Sequence, residues 1–288
     1  MIKNNQVRVQ TLVEALPYIQ KFTGKVIVIK YGGNAMISDE LFEAVIEDMV
    51  LLQLVGIHAV LVHGGGPEIN EMLEKLDIES RFINGLRYTD KDTMDVVQSI
   101  LCGKINKDLV SKLVRKGGNA VGLCGLDGKL LEAEKMLRDD GIDYGLVGDI
   151  IKVNPEVVDE AIHDGYIPVI ATVAYGVDAD TSYNVNADTA SAKLAVALGA
   201  EKLILLTNTS GILENQDDEE TLIKHIRRSE IDNLKSQGIV TDGMIPKVEC
   251  CVEAIDGGVQ RAHILDGRIP HAILLELFTD EGAGTMIS

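Results

Sequence analysis

Several short segments of the chain place residue types that suit phosphate chemistry at the ends of apolar runs. The first is Lys30-Tyr31-Gly32-Gly33-Asn34, directly after the β-branched run Val26-Ile27-Val28-Ile29. Glycine lets backbone N–H groups come close to phosphate oxygens, and a following helix adds the positive end of its dipole. Lys30 supplies a point charge at the same place. The second is His63-Gly64-Gly65-Gly66-Pro67, after Ala59-Val60-Leu61-Val62. Consecutive glycines are costly in chain entropy, so an anion-binding loop explains them better than a plain turn, and Pro67 suits the first turn of a helix. His63 itself reads as structural. The third is Asn184-Val185-Asn186-Ala187-Asp188, which opens a helix over Thr189 to Leu198. A carboxylate in a first turn is favoured by the helix dipole, so the bland reading is a capping cluster. The functional one is that it organises cationic groups or substrate. The fourth is Gly243-Met244-Ile245-Pro246-Lys247. A lysine at a helix start is disfavoured by the dipole, which implies a compensating anion nearby.

Neither glycine loop is a Walker A motif. The nearest imitation, Gly122 to Lys129, fails on spacing and ends in Leu130, and no G-x-G-x-x-G supports a dinucleotide-binding reading.

The elements that must carry these segments alternate. Fully apolar runs at 26–29, 59–62, Ile167 to Val173 and Leu203 to Leu206 read as parallel strands covered on both faces. Helical patterns lie between them, over 39–55 behind the capping signal Ser38-Asp39, over 91–116 and over 186–198. The alternation predicts an α/β fold, a three-layer α/β/α sandwich with a mainly parallel central sheet. Ligands then bind beyond the carboxyl ends of the strands, where the glycine clusters sit. Residues 126–153, punctuated by Asp127-Gly128, Asp140-Gly141 and Gly145, read as a β-hairpin excursion. The polar stretch Tyr175 to Tyr183 suggests a lobe boundary near 175. Residues 1–24 precede the first strand, with Val9, Leu12, Val13, Leu16 and Ile19 on a helical stripe that Pro17 should kink. This helix either docks on its own domain or serves as an arm to another subunit.

Composition narrows the function. A 288-residue chain that is 46% hydrophobic can bury a large core. Its formal net charge of −18 argues against nucleic acid as a partner. It does not exclude a small anionic substrate, because a few local cations reverse the sign inside a cleft. No apolar run is long enough to span a membrane, and the start of the chain lacks an apolar signal core, so a cytoplasmic location is expected. The four cysteines form no C-x-x-C pair and read as reduced, buried thiols. No metal-ligand pattern is found among the scattered histidines.

Taken together and in this order, K-Y-G-G-N, H-G-G-G-P, N-V-N-A-D, L-L-T-N-T-S-G-I and G-M-I-P-K resemble the signatures of the amino acid kinase family. The resemblance covers essentially the whole chain. Asn84-Gly85-Leu86-Arg87-Tyr88-Thr89 and Asn184 to Asp188 resemble the branch that phosphorylates the side-chain carboxylate of N-acetyl-L-glutamate in arginine biosynthesis. The resemblance implies the amino acid kinase fold, with residues 25–175 as the amino-acid-substrate lobe and 176–288 as the nucleotide-binding lobe. It implies ATP as phosphoryl donor, with Mg2+ held mainly by the ATP phosphates. Lys30 and Lys247 would neutralise charge on the transferred group, and Asp188 would hold both lysines. Gly33 and Gly65 would donate N–H groups to phosphate oxygens. Gly65, Gly66, Arg87, Asn184 and Asn186 would hold the acyl amino acid, Arg87 by a fork-like bond to its α-carboxylate. Gly32, Gly33, Thr207, Asn208, Ser210, Gly211 and Ile212 would serve ATP. A carboxylate nucleophile is ionised at neutral pH, so no general base is needed, and positioning and charge neutralisation suffice.

The helix before the first strand, and the stretch His263 to Arg268 through Glu276 to Thr285, resemble arginine-inhibited members of the family. There such helices interlace dimers into a hexamer. The resemblance implies L-arginine as inhibitor, with Tyr18, His263 and Glu276 near its site, and leaves open a nitrogen-signalling protein as a partner. Aspartate, carbamate and UMP kinases remain alternatives within the fold. A non-catalytic amino-acid sensor and a nicotinamide-dependent oxidoreductase remain alternatives outside the activity.

Overall fold

The computed structural model describes the backbone of residues 2–32, 38–138 and 141–288. The chain opens with α1 (Ile2–Phe22), then alternates through β1 (Val26–Tyr31), α2 (Asp39–Leu54), β2 (His58–His63) and α3 (Gly66–Lys75). A small ribbon follows, β3 (Phe82–Ile83) and β4 (Leu86–Arg87). Next come α4 (Lys91–Gln98), α5 (Asn106–Arg115), β5 (Ala120–Gly125), β6 (Leu131–Lys135), β7 (Gly148–Val153), α6 (Glu156–His163), β8 (Ile167–Gly176) and β9 (Ser182–Asn184). The remainder is α7 (Ala187–Ala197), β10 (Lys202–Thr207), β11 (His225–Ile226), α8 (Ile231–Ser236), α9 (Ile245–Asp256), β12 (Arg261–Asp266), α10 (Ala272–Phe278) and β13 (Gly284–Ile287).

The main sheet runs β11-β13-β12-β10-β1-β2-β8-β6-β7, with β5 and β9 also paired to β8. β12, β10, β1, β2 and β8 are mutually parallel. This is why β10, β1, β2 and β8 carry apolar runs: both faces are covered. Successive residues of β1 show it. Ile27, Ile29 and Tyr31 pack among Ile46 and Met49 of α2, Leu73 of α3, Leu109 of α5 and Ile273 of α10. Val28 turns the other way, to Ala190 and Leu194 of α7 and Val248 of α9. The expected three layers are present. Truncating a buried Ile such as Ile29 to Ala would cost about 2–5 kcal/mol.

The segment 126–153 forms the expected hairpin, β6 pairing antiparallel with β7. Its return leg lies on Thr89: a Cβ at Gly145 (φ 73°) would stand 2.3 Å from Thr89 O, so glycine is required there. Asp140 of the predicted turn lies outside the described residues.

The helix read over 91–116 runs on continuously through a π-helical segment, Ser99–Ile105, between α4 and α5. α1 carries Pro17 inside it, and its last turn belongs to the core, since Phe22 is 2% exposed and packs with β1 and α2. A boundary at residue 24 therefore cuts through packed structure. The apolar stripe upstream is exposed, with Val9 at 61% and Leu12 at 72%.

Candidate active site

Parallel strands leave their carboxyl ends on one edge of the sheet, and the predicted residues collect there. Lys30 is in register with Val62 and Leu205, so its side chain points to the face that α7 and α9 cover. α7 begins where Asn186 Oδ1 accepts from the backbone N–H groups of Asp188 (2.8 Å) and Thr189 (3.2 Å). That cap fixes the first turn and aims Asp188 at Lys30. α9 begins at Ile245-Pro246, proline satisfying the turn that needs no donor, and brings Lys247 to the same carboxylate.

Lys30 Nζ lies 2.9 Å from Asp188 Oδ1 and Lys247 Nζ 2.9 Å from Oδ2. The compensating anion inferred for Lys247 is thus Asp188. Burial pushes the Asp188 carboxyl up, but the two ammonium groups reverse this and hold it at about 2. Two cations against one anion leave one unit of positive charge, inside a chain whose formal net charge is −18.

The two glycine loops face each other across this triad. A Cβ at Gly32 would approach Gly64 N to 3.2 Å, and Gly64 N donates to Tyr31 O. Gly65 caps α3, and a Cβ there would stand 2.1 Å from Ile105 Cδ1. Ile105 and Leu101 fill the space a Cβ there would take, and φ lies in the extended region at 174°. Gly33 lies outside the described residues.

The residues expected to hold an acyl amino acid form one connected group. Arg87, on β4, donates from Nη1 to Ser80 Oγ (2.6 Å) and from Nη2 to Gly66 O (3.2 Å). Its guanidinium also stacks 4.7 Å from the centre of the Phe82 ring. Burial lowers its pKa from the usual guanidinium value. Asn184 donates to Thr89 Oγ1 (3.1 Å), and that hydroxyl donates to Arg87 O. Asn186 is engaged as the cap of α7.

A separate cleft of about 390 Å³ is lined by Asn208, Gly211, Ile212, Thr241, Met244 and, at the triad, Lys247. Gly211 (φ 137°) lets Ile212 N reach Thr285 Oγ1 at 2.9 Å, pinning the loop to β13. Thr207 and Ser210 do not line this cleft. The Thr207 hydroxyl lies 3.0 Å from Thr209 O, and Ser210 Oγ accepts from Arg268. Both brace the loop.

Among the described residues no cluster of His, Cys, Asp or Glu could hold a metal ion. No helix among them is long and apolar enough to cross a membrane.

Tyr18 and Glu276 line a third cavity, of about 380 Å³, with Lys202, Arg261 and Asp280. His263 sits behind it, Nδ1 2.9 Å from Glu276 Oε1, and Lys202 Nζ lies 3.2 Å from the same oxygen. Glu276 is held at about 2, against its burial, by His263 and Lys202. Tyr18 donates to Asp280 Oδ1 at 2.6 Å.

Sequence reasoning missed Lys202 and Asn106. Lys202 heads the run Leu203 to Leu206 and looks like an exposed strand start. Asn106 stands beside the apolar stripe of its helix, and a polar residue at that phase was the available signal.

Comparison with known proteins follows this geometry. Residues 25–266 match the amino acid kinase family. The chain is 56% identical over 284 residues to an acetylglutamate kinase of Clostridium beijerinckii, covering 99% of each. It superposes with a TM-score of 0.85, at 26% identity and over 97% of its length, on N-acetylglutamate synthase from Neisseria gonorrhoeae complexed with coenzyme A and N-acetyl-glutamate. It spans 63% of that synthase chain. The same synthase complexed with coenzyme A and L-arginine gives a TM-score of 0.81 at 26% identity, over 97% of this chain and 65% of that one.

Proposed function

The chain belongs to the amino acid kinase family, and from that premise we propose how it carries out ATP-dependent phosphorylation of the side-chain carboxylate of N-acetyl-L-glutamate, a reaction of arginine biosynthesis. The observation that carries the reading is the Lys30–Asp188–Lys247 triad at the junction of the glycine loops and the cleft. A carboxylate oxygen of the substrate attacks the γ-phosphorus, the bond to the β-bridging oxygen breaks, and its electron pair leaves on ADP. No proton moves. The work left to the protein is alignment and neutralisation of charge on the phosphoryl oxygens, which suits two ammonium groups and glycine N–H donors. Asp188 keeps the lysines apart and oriented.

Gly65, Gly66, Arg87 and Asn184 hold the acyl amino acid, and the cleft at Asn208 to Ile212 takes the nucleotide. Residues 25–175 accordingly serve the amino acid and 176–288 the nucleotide, with Asn184 to Asp188 at the seam. Mg2+ would ride on the ATP phosphates and supply further neutralisation there, because the one carboxylate of the triad has both oxygens engaged by lysines. The free cysteines agree with a cytoplasmic location.

The cavity at Tyr18 and Glu276 supports a second, regulatory reading. It sets the acids Glu276 and Asp280 against the cations Lys202 and Arg261, which fits a zwitterion carrying an extra positive charge. L-arginine is that ligand, and α1, with its exposed stripe, is the arm that joins dimers into a hexamer.

Hydroxamate trapping tests the activity. Protein, MgATP, hydroxylamine and N-acetyl-L-glutamate should give hydroxamate, and glutamate, aspartate or carbamate should not. Signal with another carboxylate alone would overturn the substrate while leaving the triad mechanism.

A further inference from the structure

Asn106, 1% exposed, opens α5 at the end of the π-helical segment. Its Nδ2 lies 2.9 Å from Val169 O, 3.2 Å from Leu123 O and 3.2 Å from His63 Nε2. Its Oδ1 accepts from Lys107 Nζ at 2.9 Å. Carbonyls only accept and an ammonium only donates, so the orientation of this amide is fixed with its NH2 toward His63. His63 Nε2 must therefore be the acceptor, and the ring proton sits on Nδ1, 3.0 Å from Gly64 O. Burial pushes His63 down to about 4, so the ring is neutral and carries that single N–H.

Gly64 C=O and Gly65 N–H belong to one planar trans peptide unit and point in opposite directions. Anchoring the first aims the second, and a bond accepted by the carbonyl polarises the amide into a stronger donor. Ile105, the neighbour of Asn106 in the chain, fills the space a Cβ at Gly65 would need. The junction of the π segment and α5 thus presents two consecutive side chains, Ile105 and Asn106, to the loop. π-Helical turns recur at functional sites for reasons of this kind.

We propose that His63, locked in one tautomer by Asn106, is a positioning residue for phosphoryl transfer, aiming the Gly65 N–H at the reacting oxygens. The inference rests on the reading that this loop holds the acyl amino acid.

Nitrogen-15 NMR of the histidine-labelled full chain should show His63 protonated at Nδ1 and bare at Nε2. The opposite tautomer would overturn the proposal. Asn106→Asp gives a functional readout. A carboxylate only accepts, so it takes the proton at Nε2, and a neutral ring then turns a bare Nδ1 to Gly64 O. Only the imidazolium donates to both. The carboxylate raises the His63 pKa, so turnover is kept below that pKa and falls about tenfold or more as pH rises through it, the scale of a misaimed donor. Lys107, which acts on His63, and Tyr31, its neighbour across the sheet, are the same in both proteins, as are Cys102, Cys124 and Asp127. A profile parallel to the parent chain's would overturn the proposal. If the variant does not fold, the tautomer measurement still decides. Arg87→Ala separates the underlying reading. An unchanged KM for N-acetyl-L-glutamate there would overturn the substrate assignment, whereas a raised KM together with a bare Nδ1 would overturn the positioning role alone.

Discussion

Lys30 Nζ stands 2.9 Å from Asp188 Oδ1, with only 10% and 9% of the two side chains exposed. A buried ammonium and the buried carboxylate that faces it each offset the other's lost hydration. The same carboxylate draws in Lys247 from another helix. One aspartate therefore couples the first strand, α7 and α9, and brings both ammonium groups together at the carboxyl ends of the strands.

Acid stability follows from that arrangement. Asp188 is held at about 2, below its value in an unfolded chain. A depressed pKa stabilises the fold above the unfolded value and loses that contribution as pH falls, here about 2 kcal/mol lost between about pH 5 and 2. Glu276, also held at about 2, acts over the same range, so the quantity to read is a difference. Chemical denaturation of Asp188→Asn should show a flatter decline in stability from pH 5 to 3 than the parent chain. An unchanged slope would contradict the assignment.

Arg87 donates from Nη1 to Ser80 and from Nη2 to Gly66, and stacks its guanidinium on Phe82. Lysine keeps the charge and loses the fork. Arg87→Lys should raise KM for N-acetyl-L-glutamate by roughly 10- to 100-fold, the worth of one charge-assisted hydrogen bond. KM for ATP should stay within about twofold in the same steady-state assay.

Glu276 is the half-buried carboxylate of the cavity proposed to bind L-arginine. Glu276→Gln should raise the arginine concentration for half-inhibition at least about tenfold, the loss of one charged partner, with little change in uninhibited turnover. Removing residues 2–16 should abolish inhibition and the hexamer, as read by light scattering. The cut stops short of Phe22 because that ring belongs to the core.

The sheet and the triad were legible because their physics is local. β1, β2, β8 and β10 announce themselves as unbroken apolar runs, since parallel strands are covered on both faces. Lys247 at a helix start signalled an anion, and Asp188 is that anion. Other features depend on partners distant in sequence. The π segment preserves the apolar spacing of the helix it lies in. Asn186, expected at the substrate, also caps α7, a role unseen in the motif because N-caps and ligand sites favour the same residue types. Thr207 and Ser210 sit in the expected loop but face away from its cleft, toward Leu265 and Arg268, an orientation no motif encodes.

In the proposed mechanism Lys30 and Lys247 act on the phosphoryl group in flight more than on bound substrates. Single-turnover transfer from labelled MgATP to N-acetyl-L-glutamate, measured by rapid quench beside calorimetric affinities for both substrates, tests it directly. Lys30→Ala and Lys247→Ala should each slow transfer by roughly 10²–10³, the cost of one preorganised donor, while both affinities change by less than about tenfold. Transfer at the parent rate in either variant would remove that lysine from the mechanism.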